Sequence, residues 1–126
     1  MTSPDEAPLL DLSVLVAMET DFHDPEPVHQ FVRNFIEIWD KRYTRLVNAS
    51  RHRDPTEAQE VLLGIMTSSR MLGATQLAAL AGDLETRLSR GAVRVPRPAL
   101  STLADCGERT VKQLADEYLG RGAQQT

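Results

Sequence analysis

Two Asp-Pro pairs punctuate this chain and limit what it can fold into. Asp24-Pro25-Glu26 and Asp54-Pro55-Thr56-Glu57 each offer a capping carboxylate, then a proline, then an acidic residue. An Asp at a helix N-cap accepts a backbone N–H that has no partner inside the helix. Pro suits the first helical position because the N–H it lacks would be unpaired there anyway. Glu26 and Glu57 then face the positive end of the helix dipole, and Glu57 completes a capping-box-like pair with Asp54. After the first start, Val28, Phe31, Val32, Phe35, Ile36, Trp39, Tyr43, Leu46 and Val47 recur at three- and four-residue steps. After the second, Ala58, Val61, Leu62, Ile65, Ser68, Ser69 and Leu72 do the same. Such steps form a stripe along an α-helix, and a strand would scatter them over both of its faces.

The remaining segments read the same way. Leu9 to about Glu19 forms a short helix with Leu12, Leu15 and Val16 on one face. The helix from Pro25 runs to about Arg51, and the helix from Pro55 stops at Gly73. Another helix follows almost at once, with Leu77, Leu80, Ala81, Leu84 and Leu88 inward, and ends at Gly91. So short a link implies an antiparallel hairpin. Ala92 to Pro98 connects to a last helix from about Pro98 to Leu119, with Leu100, Leu103, Gly107, Val111, Leu114 and Tyr118 inward. The expected fold is all-α, an up-down antiparallel four-helix bundle with an additional short N-terminal helix. Residues 1–8 and 121–126 are expected to be loose tails around a single domain at 9–120.

Composition sets outer bounds. With 126 residues, 41% of them hydrophobic and 25% charged, the chain can build one packed core. Its net charge of -4 argues against a domain held on nucleic acid by phosphate contacts. One cysteine, Cys106, cannot make an intramolecular disulfide, which suits a reducing, cytoplasmic setting. No uninterrupted apolar run is long enough to span a membrane, and no signal peptide is visible.

The sequence carries no glycine-rich phosphate loop, CxxC, HExxH or nucleophile elbow, and no cofactor is expected. His23 lies between Asp21 and Asp24, but metal ligands at that spacing need a second His or Cys, so a polar loop ahead of a capped helix is expected and no metal. His29 reads as a boundary residue, His52 as a cation placed favourably at a helix C-terminus, and Cys106 as a partly buried structural thiol. Arg42, Arg45, Arg51 and Arg53 could gather near one bundle end, with Glu37, Asp40 and Asp54 neutralising part of the patch.

One stretch goes further. Ser68 to Glu85 reads SSRMLGATQLAALAGDLE. It resembles the second half of the signature of histidine phosphotransfer (HPt) domains, Ala-His-x-Leu-Lys-Gly-Ser-Ser/Ala-x-x-Leu-Gly-Ala-x-x-Leu with a Leu-Glu pair further on. Ser68, Ser69, Leu72, Gly73, Ala74, Leu77, Leu84 and Glu85 match without a gap. The order of helices is also similar, so the resemblance covers most of the chain. In that register the phospho-accepting His falls on Leu63, the Lys three residues later on Met66 and the Gly four residues later on Thr67. Leucine has no lone pair to take a phosphoryl group, and methionine offers no cation to phosphate oxygens. Thr67 narrows the room beside the lost imidazole.

The resemblance therefore implies a degenerate, non-catalytic HPt-like protein. Helical geometry places Leu63 opposite the core stripe, among Gln59, Met66, Thr67 and Arg70. These five residues are the expected partner-binding face, and the expected partner is a response-regulator receiver domain or a histidine kinase of a bacterial-type phosphorelay. Two alternatives stand beside it: phosphotransfer through a displaced His29 or His52, and a bundle that forms a homodimer through the same face, unrelated to phosphorelay.

Overall fold

The computed structural model describes residues 8–120; the expected tails at 1–8 and 121–126 lie outside the described residues, apart from Pro8. The described chain is all-helical. Its helices are α1 (Leu12–Phe22), α2 (Glu26–Arg51), α3 (Pro55–Leu72), α4 (Thr75–Ser89) and α5 (Arg97–Gln113), and Leu114–Leu119 continues α5 as a wider π-helical segment. The starts follow the local chemistry. Asp54 accepts the Glu57 N–H at 3.1 Å and Asp24 accepts the Glu26 N–H at 3.0 Å.

Each long helix packs on the next, and α5 returns to α2, so α2, α3, α4 and α5 close a ring of contacts. The tight α2–α3 and α3–α4 turns make those neighbours antiparallel. Phe35, Leu46, Leu62, Ile65, Leu77, Leu103 and Leu114 fill the ring with almost no exposure. Across the α2–α5 seam the Trp39 indole lies directly on Gly107, where a Cβ would stand only 1.9 Å from Trp39 Cζ2. No described helix is long and apolar enough to cross a membrane.

One end of the bundle is closed by α1. Gly73 ends α3 with φ +78° and reverses the chain into α4. Its carbonyl accepts the Asp11 N–H at 2.8 Å, and a Cβ on Gly73 would stand 2.4 Å from Asp11 O. Only glycine allows both that φ and that approach. The far end of α1 is tied to α5 by the Tyr118 hydroxyl, which donates to Glu19 at 2.6 Å. At the opposite end, Ser50 Oγ donates to the Val95 carbonyl and accepts the Val95 N–H, both at 2.9 Å. That pair fixes the α4–α5 connector against the end of α2.

Two expectations about α1 need correction. The helix begins at Leu12, because Asp11 caps it by accepting the Ser13 N–H at 3.1 Å, and Leu9 and Leu10 run ahead of it to meet the core. Val16, expected inward, is 57% exposed. A short helix laid across α2 and α3 buries only one narrow stripe, and here Leu15 takes it.

Candidate functional site

The middle of α3 presents its outer face between α2 and α4. Leu62, Ile65 and Ser69 point into the core, which leaves Leu63 outward, and Leu63 is 43% exposed. Thr67 and Arg70, one and two turns on, are exposed beside it, and Gln59 is half-buried one turn before. The five expected residues thus lie along one face of α3, as their spacing requires.

Met66 departs from the expectation of an exposed Leu/Met pair. It is half-buried, and a Cβ built on Gly82 of α4 would meet Met66 Sδ at 3.1 Å. Glycine opens a groove in α4 there, and the flexible thioether fills it. The apolar centre of the face is therefore Leu63, with the Met66 stem as its α4-side wall.

The α2 side carries a feature that sequence spacing could not show. Arg42 reaches across to α3 and donates from Nη1 to Ser68 Oγ at 3.2 Å. Its Nη2 stands 3.9 Å from where a Gly64 Cβ would be, so the guanidinium lies over the helix one residue from Leu63. Arg45 makes a second link between the two helices, donating from Nε to Glu57 at 2.9 Å. Burial first, and then the nearby charge of Arg45, push the Arg42 pKa down from its usual value. Both members of Ser68-Ser69 act as small residues at helix contacts. Ser69 is fully buried, with no hydrogen-bond partner for its hydroxyl among the described residues.

The histidines are held elsewhere. His29 meets the Tyr118 ring edge-on with centroids 5.2 Å apart. His52 Nδ1 lies 2.8 Å from the Asn48 carbonyl at the C-terminus of α2. His23 ends α1 with φ +57° and is exposed. Among the described residues no three His, Cys, Asp or Glu side chains gather as a metal-holding group. Cys106 is buried more completely than expected, at 1% exposure, and that burial raises its thiol pKa.

What the outer face of α3 can do follows from its composition. It offers an apolar centre and hydroxyl and guanidinium groups around it. Its five expected residues include no imidazole, carboxylate or thiol, and the exposed Glu60, three residues before Leu63, is the nearest carboxylate on α3. No protein-family model, curated protein or solved structure matches this chain.

Proposed function

We propose that this chain is a non-catalytic HPt-like module that binds a response-regulator receiver domain, or a histidine kinase, of a cytoplasmic phosphorelay. The observation that carries the reading is Leu63. An exposed leucine occupies the centre of the α3 face, where the resemblance would put the reactive histidine. Loss of that nitrogen removes phosphoryl transfer and leaves a surface suited to contact. A leucine at the centre of an interface adds affinity by burial, and Arg42 and Arg70 at its sides can pair with carboxylates of the partner. The ring of four helices closed by a short N-terminal helix supports the same reading, since the resemblance implies that architecture. The protein would act as a competitor or adaptor for the domains that do transfer phosphate.

The test is calorimetric titration of purified receiver domains and kinase domains into the wild type and Leu63→Asp. Wild type is expected to bind one of them, and the variant to bind about 30-fold or more weakly, the usual effect of losing a central hot spot. Equal binding to both proteins would remove the α3 face from the proposal, and binding to neither class would remove the phosphorelay. Light scattering over a concentration series covers the homodimer. A dimer that Leu63→Asp dissolves would assign this face to a second copy of the chain.

A further inference from the structure

The end of the bundle remote from α1 carries an unexplained charge. Arg51 ends α2 and Arg53 stands on the turn into α3, and Arg90, Arg94 and Arg97 lie on the α4–α5 connector and its edges. The Ser50–Val95 hydrogen bonds hold these two segments together. All five arginines are exposed, and no ion pair to a described carboxylate engages any of them. Other arginines do have such partners: Arg33 with Glu26, Arg87 with Asp83, Arg109 with Asp105. The two acids nearest this end in sequence are already engaged, Asp54 in capping α3 and Glu57 by Arg45.

The concentration is out of proportion to the composition. The chain has fourteen Lys and Arg against eighteen Asp and Glu, so five cations here leave nine for the rest of the protein. A positive end therefore sits on an acidic body. Arg51, Arg94 and Arg97 also line a recess of about 780 Å³, whose other walls include Val47, Val95 and Leu100. That volume falls within the range of small-molecule sites. A guanidinium offers a rigid fork that matches phosphate oxygens, and three arginines line this one recess. Ser50 already fixes the backbone between Arg94 and Arg97, so binding has less ordering to oppose it. An acidic body disfavours a long polyanion and tolerates a compact one, because the repulsion grows with the length of anion laid along it.

We propose that this recess binds a compact organic phosphate. Arg51, Arg94 and Arg97 would hold its phosphate oxygens, and Val47, Val95 and Leu100 would receive its organic part. The site is separate from the Leu63 face and does not depend on the reading of that face.

Calorimetric titration of the full chain with inorganic pyrophosphate and with ADP, at fixed ionic strength, tests this. Saturable binding of one ADP per chain is expected, with pyrophosphate weaker because it cannot use the apolar wall. The double variant Arg94→Gln/Arg97→Gln should bind about tenfold or more weakly. Arg33→Gln, far along α2, should bind as wild type. Backbone amide shifts should move at Ser50, Val95 and Arg97. Melting by circular dichroism checks that the double variant folds, and Arg51→Gln alone replaces it if it does not. The proposal is overturned if neither probe saturates, or if Arg94→Gln/Arg97→Gln, or Arg51→Gln in its place, binds as wild type. It is also overturned if only a single-stranded oligonucleotide, an acidic peptide or an anionic vesicle binds.

Discussion

Gly107→Ala should loosen the bundle from a single methyl group. The added Cβ would stand 1.9 Å from Trp39 Cζ2 and 2.4 Å from both Cε2 and Cη2. Carbon atoms in contact need about 3.5 Å, so the indole must retreat by roughly 1.5 Å. It has little room to do so. Trp39 is 4% exposed, and its ring stacks between Phe35 and Tyr43 with centroids 6.2 and 6.3 Å away. Overpacking of this kind costs about 1–3 kcal/mol, and a rigid ring pressed at three atoms belongs at the upper end. Replacing a mid-helix glycine by alanine returns about 1 kcal/mol. The net is a loss of about 2 kcal/mol, or roughly 1 M in the urea midpoint for a domain of this size. Trp39 is the only tryptophan, so its own fluorescence reports both the transition and the disturbed seam. A variant as stable as wild type, with unchanged emission, would refute the contact. Gly64→Ala supplies the comparison. Its Cβ would meet only Arg42 Nη2, at 3.9 Å, so the helical gain of about 0.5–1 kcal/mol should appear undiminished.

Other expectations follow from single contacts. Ser50→Ala strips the buried Val95 N–H and carbonyl of their partner, and should cost about 2 kcal/mol by urea unfolding while speeding amide exchange at Val95. Burial, then the hydrogen bond to Glu19, then the Glu19 charge raise the Tyr118 phenol above its usual value of 10.0. A raised folded-state pKa gives stability that is complete below that usual value and is lost as pH rises beyond it. Tyr118→Phe should therefore cost about 1 kcal/mol at neutral pH and flatten the decline above pH 10, as read from urea midpoints across pH; parallel curves would contradict this. Buried Cys106, its pKa raised, should react with a disulfide reagent about a hundredfold more slowly in the native protein than in urea, and prompt native labelling would contradict its placement.

Features set within one helical turn were readable from the sequence. Asp54 fixed the start of α3 because a cap acts over three residues, and Gly73 fixed its end because only a left-handed residue reverses the chain there. The return bond expected from Glu57 does not form, because its carboxylate pairs with Arg45 and the Asp54 N–H goes to the Ala49 carbonyl. Features that depend on a distant partner were not. Nothing near Met66 says that Gly82 will open a groove for it. The periodicity of α1 permits Val16 to point inward, but the position of α1 on α2 and α3 turns it out. Arg51 and Arg53 looked like part of a neutralised patch with Arg42 and Arg45. The fold instead draws Arg42 to Ser68 and Arg45 to Glu57, and brings Arg94 and Arg97 from the far connector. Gly107 was legible as an inward position, but its partner across the seam was not, because no pattern in α5 names Trp39.

The bond between Tyr118 and Glu19 also governs how this chain can be joined to others. Pro8, whose carbonyl accepts from the Thr75 hydroxyl at 2.6 Å, enters beside the start of α4, and Gly120 leaves from the end of α5 next to α1. Both ends of the described chain therefore emerge on the α1 side of the bundle. A fusion partner attached at either one would hang from that side and leave the Leu63 face and the arginine end open to solvent. A short linker between the two ends, with the chain reopened in the exposed stretch Ala92–Arg94, should give a circular permutant that keeps all five helices intact.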